Sequence, residues 1–421
     1  MNLRSALNRR AAPAEGAPGP GPRGALSGAQ RALLVGGFLV NTGTFAVYPY
    51  LAVLLRERLG VGMATVGVVL GLATLTQFAS APFTAAFAER VGLRRALVLA
   101  TCLYALGAAS YLAGVRVAAL TVLALFLSCG AGALYSPAYR SYLVRTAGPE
   151  ERPRLVSYGN AAGNLGIAAG PVVGALFLNA PNTLFTATTV LYAVLAGGHL
   201  LLRNEGQGGG ADVEPFRRVL HGLAWVPFVV TVVTHYLYMQ FYQYLSVFVT
   251  GRLPTAGYGV IMMGYSLGLA VLQPLLARWV GAVRHGVAMA VGFGCMAAGL
   301  AAIATGRPAG VAAGAAAMSV GTAVLFLKND LEAIALSARS VTVTFGQQRL
   351  AVGLGALLSG VVGGAAYGFF ERAGALPAFW LAGAAQCLVL PPLALLLGRR
   401  LAARAAAARA GDAGRQSAGF S

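Results

Sequence analysis

Twelve long apolar runs, separated by short polar breaks, dominate this chain of 421 residues. They fall at roughly 32–55, 62–88, 95–114, 117–138, 156–179, 182–202, 223–249, 256–280, 285–305, 309–328, 347–369 and 376–398. About 20 apolar residues in a helix cross a hydrocarbon core about 30 Å thick. The pattern predicts an all-α integral membrane protein with twelve transmembrane helices. The longest polar interruption after the N-terminal segment, 203–222, holds Glu205, Asp212, Glu214, Arg217 and Arg218 and divides six runs from six.

The two sets of six are related. Residues 50–59 (YLAVLLRERL) match 244–253 (YLSVFVTGRL) at five positions in ten, and 165–175 (LGIAAGPVVGA) match 354–364 (LGALLSGVVGG) at five in eleven. The offsets are 194 and 189 residues, in the same order along the chain. Two matches at nearly one offset indicate an internal duplication, hence two pseudo-symmetric six-helix bundles. Parallel repeats of this size are a transporter architecture, with substrate held near the midplane between halves. The expected organisation is an N-terminal tail 1–30, a bundle 31–203, a linker 204–222, a second bundle 223–400 and a tail 401–421.

Composition agrees with the spans. Hydrophobic residues make up 57% of the chain and charged residues 10%, against about 25% charged in soluble proteins. The net charge of +19 does not indicate nucleic acid, because no basic face with interleaved aromatics lies outside the spans. It is explained by topology. With both ends in the cytoplasm, six basic residues (Arg56, Arg58, Arg116, Arg252, Arg307 and Arg372) lie outside and, Lys328 apart, 24 lie inside, as the positive-inside rule requires. The cell membrane is the expected location. The segment before Arg31 has no apolar core, so it reads as a disordered tail rather than a signal peptide. Cys102, Cys129, Cys295 and Cys387 each fall in a different run, without metal-ligand spacing. No metal site and no cofactor is expected.

The loop after the second run, AAFAERVGLRR (85–95), resembles the signature between helices two and three of the major facilitator superfamily. Glu89, Arg90, Gly92, Arg94 and Arg95 match it, and Ala85 replaces the first glycine. Gly92 permits a tight turn, and the arginines can pair with acids or cap helix carbonyls. In the family this cluster latches the halves on the cytoplasmic side when the protein opens outward; otherwise the arginines only anchor the loop. The second copy, 277–285, keeps Arg278, Gly281 and Arg284 and lacks the acid. Gly166, Gly170, Pro171 and Gly174 in the fifth run resemble the family's antiporter motif, with Ala175 in the last place. Its small residues and proline suit a bent, closely packed gating helix, and the resemblance implies export. Exporters often carry an arginine four residues before a glycine in span four; counting back from Gly130 gives Phe126, which departs from that proton mechanism.

Polar groups inside a membrane tend to face a cavity. Asn41, Thr44 and Tyr48 share one face of the first span, and the repeat places His235, Tyr238 and Tyr242 at matching positions of the seventh. With Gln77 these are the candidate substrate-binding residues; Asn160 and Asn164 are further polar positions. Interhelical hydrogen bonding is the competing explanation. The aromatic content suits an amphipathic organic substrate. His235, Asp330 and Glu332 are the candidate proton-coupling groups, the two acids otherwise forming ion pairs with Arg278, Arg284 or Arg339, and Glu89 with Arg140.

The expected activity is secondary transport of a small organic solute by alternating access of a monomer, as efflux coupled to protons. Sugar or amino-acid movement is the alternative within transport. No P-loop signature is present, no large soluble domain supports a receptor or scaffold, and the scattered histidines and acids do not make an enzyme site.

Overall fold

The computed structural model describes residues 26–145, 152–177, 180–202, 221–337, 339 and 341–418. The expected tail up to residue 25 and the linker up to residue 220 lie outside the described residues. Twelve helical passages follow one another. Helix α1 runs Gly28–Val47, turns once at Tyr48–Tyr50 and continues as Leu51–Leu59; α2 comprises Met63–Ala79 and Ala81–Val91. Then come α3 (Leu93–Ala113), α4 (Ala118–Arg145), α5 (Arg152–Leu176) and α6 (Pro181–Leu200). The second bundle holds α7 (Trp225–Val249), α8 (Thr255–Ala282), α9 (His285–Ile303), α10 (Pro308–Leu336), α11 and α12 (Leu376–Ala418). Helix α11 is Val341–Leu358 and Gly364–Arg372 joined by a π turn at Ser359–Gly363.

Among the described residues, nine helices are long and apolar enough to cross a membrane, or ten if the two parts of α2, bent by 53°, count as one span. The other two, α5 and α7, have 25 residues each but carry the polar groups picked out above. In α7 this polarity reflects position beside the central cavity, where His235, Tyr238 and Tyr242 line the wall. Large apolar side chains such as Leu275, Val194 and Leu388 are exposed on the outer faces, as contact with lipid demands. Several buried threonine hydroxyls are satisfied within their own helices: Thr74 donates to the Leu70 carbonyl, Thr101 to Leu97 and Thr234 to Val230.

Local chemistry sets the boundaries. Ser27 caps α1 in a reciprocal box with Gln30. Gly60, at φ 62°, ends it in a left-handed turn that other residues rarely adopt. Two helices extend past their predicted ends. Helix α10 continues to Leu336, so Lys328, Asp330 and Glu332 project from a helix rather than closing one, and α12 continues to Ala418, through most of the expected tail.

The duplication is visible atom by atom. A Cβ placed on Gly166 of α5 would lie 2.3 Å from the Phe38 carbonyl oxygen, 2.9 Å from the Asn41 Cβ and 3.1 Å from the Thr42 nitrogen of α1. A Cβ on Gly355 of α11 would lie 2.5 Å from the Val232 oxygen, 2.8 Å from the His235 Cβ and 3.0 Å from the Tyr236 nitrogen of α7. The glycines are 189 residues apart and each partner 194, the two offsets of the sequence repeat. Both bundles therefore contain the same backbone-to-backbone seam.

The bundles meet chiefly at the end opposite the termini. There the Tyr258 hydroxyl donates to the Pro49 carbonyl at 3.3 Å, and the rings of Tyr50 and Tyr258 meet edge-on at 5.3 Å. Arg56 pairs with Glu371 at 2.5 Å. Gly67 and Gly71 of α2 lie directly against Leu357, Gly360 and Gly364 of α11, while Gly259 of α8 abuts Pro171 and Ala175 of α5.

Candidate functional site

Beneath those contacts lies a cavity of about 850 Å³, lined from both bundles. At its inner end are Tyr48 and Tyr242; toward the termini it reaches Arg140, Asp330 and Arg349. Arg140 and Arg349 are exposed, so the cavity opens at the terminus end and is shut at the other.

Of the seven residues expected to bind substrate, Thr44, Tyr48, Gln77, His235, Tyr238 and Tyr242 line this cavity, and Asn41 does not. Asn41 lies at the seam instead. Its amide donates to the Gly37 carbonyl at 2.8 Å, and its Cβ faces Gly166 of α5. His235, its counterpart, has the same Cβ placement against Gly355, but its longer ring reaches past the seam and stacks on Phe326 at 4.6 Å and 3°. Asn160 and Asn164 are exposed and do not line the cavity.

An aromatic rail crosses the junction of the bundles. Tyr48 of α1 and Tyr242 of α7 have ring centroids 5.7 Å apart; Tyr242 and Tyr238 are also 5.7 Å apart, and Tyr238 meets Phe326 at 5.4 Å and 90°. On the first-bundle wall Tyr104 stacks on Tyr192 at 5.0 Å, and the Tyr192 hydroxyl lies 3.3 Å from the Thr44 hydroxyl. Tyr48 reaches the Thr74 hydroxyl at 3.4 Å. Spacing along one helix could not reveal Tyr104, Tyr192 and Phe326, because they come from α3, α6 and α10. Arg349 was legible only as a topology anchor, and Arg140 as an anchor or a partner for Glu89.

The three coupling candidates separate. His235 and Asp330 line the cavity. Glu332 points elsewhere, toward Lys328 at 3.1 Å and His285 at 3.7 Å, and the buried Lys328 ammonium donates to the Val280 and Val283 carbonyls at the end of α8. Glu332 thus takes Lys328 and His285 as partners. This cluster restores an acid beside the α8–α9 loop, where the second copy of the signature has none.

In the first signature, Gly92 holds φ at 92° between α2 and α3, a conformation that favours glycine. Arg94 donates to the Leu200 and Leu202 carbonyls at 3.4 and 3.3 Å, capping α6 of its own bundle. Arg90 and Arg95 are exposed, and Glu89 makes no ion pair among the described residues, so the expected Glu89–Arg140 pair is not formed. The four motif positions of α5 all sit at seams. Gly166, Gly170 and Gly174 lie against the α1 backbone, and the Pro171 carbonyl accepts from the Tyr50 hydroxyl at 2.7 Å.

Residues 33–327 match the family model described as Major Facilitator Superfamily. The chain belongs to the major facilitator superfamily. The multidrug resistance protein MdtH of Cronobacter sakazakii is 29% identical over 258 residues, covering 59% of this chain and 63% of that protein. A Na(+), Li(+), K(+)/H(+) antiporter of Planococcus maritimus is 29% identical over 177 residues, covering 40% of each chain. The matched region thus spans less than two thirds of these curated relatives. Among solved structures, the nucleoside transporter NupG superposes with a TM-score of 0.71 at 14% identity, covering 88% of this chain and 99% of that one. A bacterial homologue of the lysosomal transporter Spinster, in an inward-facing and unoccupied conformation, gives 0.69 at 13%, covering 90% and 96%. These likenesses establish the superfamily fold: a multi-pass membrane protein of two bundles around a central cavity.

Proposed function

We propose that the chain is a secondary transporter that exports a small organic solute across the cell membrane by alternating access, drawing on the proton gradient. The observation that carries this reading is the cavity itself: it lies between the bundles, draws its lining from both, and is open at one end and sealed at the other. With the termini in the cytoplasm, as the distribution of arginines supports, this conformer faces inward. Tyr48, Tyr238 and Tyr242 then bind the solute, with Thr44, Gln77 and His235 supplying hydrogen bonds.

The close packing of α5 on α1 and α8 supports a gating role for Gly166, Gly170, Pro171 and Gly174, and the resemblance to MdtH supports export. In the opposite conformer the signature residues Glu89 to Arg95 latch the cytoplasmic side. Asp330 and His235, exposed to the cavity, are the groups placed to carry a proton; Glu332 is engaged in an ion-pair cluster. The test is reconstitution into liposomes with an imposed pH gradient and a screen of candidate solutes. Gradient-driven accumulation that Asp330→Asn abolishes is expected. Accumulation indifferent to the gradient would remove proton coupling, and no movement of any solute would remove the transport reading.

A further inference from the structure

We infer that the cargo is an aromatic anion, held with its ring on the tyrosine rail and its charge at Arg140 and Arg349. This inference rests on the proposal that the central cavity is the transport site. The cavity's charged lining is two guanidinium groups and one carboxylate: Arg140 from the first bundle, and Arg349 and Asp330 from the second. Asp330 offsets one positive charge and leaves the other uncompensated. Neither arginine forms an ion pair among the described residues, and Arg349 rests over the Phe78 ring at 5.6 Å.

Buried polar atoms elsewhere in the cavity lining also lack partners. The Tyr242 hydroxyl, the Asn329 Oδ1 and the Gln348 Oε1 have no hydrogen-bond partner among the described residues, although these residues are only 3%, 2% and 4% exposed. All three residues line the cavity. Unsatisfied buried groups are costly; of the three, the Tyr242 hydroxyl can donate to an anionic ligand, whereas the two amide oxygens are acceptors and do not bear on its charge. A guanidinium recognises a carboxylate or sulfonate through paired, charge-assisted hydrogen bonds.

The arrangement also ties binding to movement. Closing the terminus end would bring Arg140 and Arg349 together from opposite bundles and remove water from between them. Like charges resist that approach, and an anion between them relieves it. An anionic cargo thereby favours the occluded state that an empty cavity resists. The inside-negative membrane potential would itself push such a cargo outward.

The experiment is equilibrium binding of three radiolabelled probes of one shape to the purified full-length protein in detergent. The probes are 1-naphthoate, neutral 1-naphthamide and cationic 1-naphthylmethylammonium. Wild type is expected to prefer naphthoate over naphthamide by about tenfold, the scale of one charge-assisted hydrogen bond. Arg349→Gln should erase that preference and Arg349→Lys should retain most of it, with size-exclusion profiles confirming that both variants are folded. Tyr238→Ala should weaken all bound probes. Equal or stronger binding of the cation, or an unchanged preference in Arg349→Gln, would overturn the anion assignment while the sensitivity to Tyr238→Ala left the cavity reading standing. Absence of binding by every probe would overturn both.

Discussion

Replacing Gly67 by alanine should push the protein toward the conformer that opens at the end opposite the termini. Gly67 belongs to α2, and its neighbours belong to α11 and α7 in the other bundle. An added Cβ would stand 2.1 Å from the Gly360 carbonyl oxygen, 2.8 Å from the Tyr244 hydroxyl and 3.0 Å from the Gly364 Cα. Two of these three atoms are backbone, so no side-chain rotation removes the clash, and the helices must part by about 1 Å. Overpacking of this kind costs about 1–3 kcal/mol. Disturbing the hydrogen bond from Tyr244 to the Ser359 carbonyl, 3.0 Å long, adds about 1 kcal/mol. The penalty falls only on the conformer sealed at that end. About 2–4 kcal/mol moves a two-state equilibrium by roughly 30- to 1,000-fold. The assay is a pair of spin labels at exposed Glu57 and Ala373, flanking the seal, in a variant freed of the four native cysteines. Gly67→Ala should lengthen the measured distance, whereas Gly264→Ala, with nothing within 4 Å of its added Cβ, should leave it unchanged. An unchanged distance in folded Gly67→Ala protein would refute the account of the seal.

Further outcomes separate binding, coupling and support. Glu332→Gln should lower the melting temperature in detergent, because it leaves the buried Lys328 ammonium without its acid, yet gradient-driven transport should persist; Asp330→Asn should do the reverse. Asn41→Ala should reduce stability by about 1 kcal/mol through loss of its hydrogen bond to the Gly37 carbonyl within α1 without altering which solutes are moved, while Tyr238→Ala and Tyr242→Ala should change the solute profile in the same flux assay. Charge reversal at Arg56 alone should impair closure slightly, since a half-exposed pair is worth about 1 kcal/mol or less, and the double exchange Arg56→Glu with Glu371→Arg should restore the spin-label distance.

The membrane fold was legible because burial in lipid imposes a composition that persists for about 20 residues at a time. The duplication was legible because seam positions tolerate few residue types: Gly166 and Gly355 recur since any larger side chain would meet a backbone atom. The site was only half legible. Helical spacing put Asn41, Thr44 and Tyr48 on one face, but a face is broad. It did not tell that α5 would occupy the edge where Asn41 sits. His235 shares that edge and still enters the cavity, a difference of side-chain reach rather than pattern. The walls supplied by Tyr104, Tyr192 and Phe326 depend on which helices become neighbours, which periodicity along a single helix does not encode. Lys328 and Glu332 were recognisable as an ionic group, but their partners required the loop between α8 and α9 to fold back on α10.

The paired seams at Gly166 and Gly355 carry a mechanical consequence. Contacts made by backbone against backbone have no side chains that can repack, so they transmit force instead of absorbing it. Helices α1 and α5 then travel as one beam, and α7 and α11 as another. If the proposed transport cycle holds, a solute that draws Tyr48 and Tyr242 together at the cavity end of these beams would displace the proposed gate residues on their partners without any further linkage. The machine has few moving joints, and the seams are not among them.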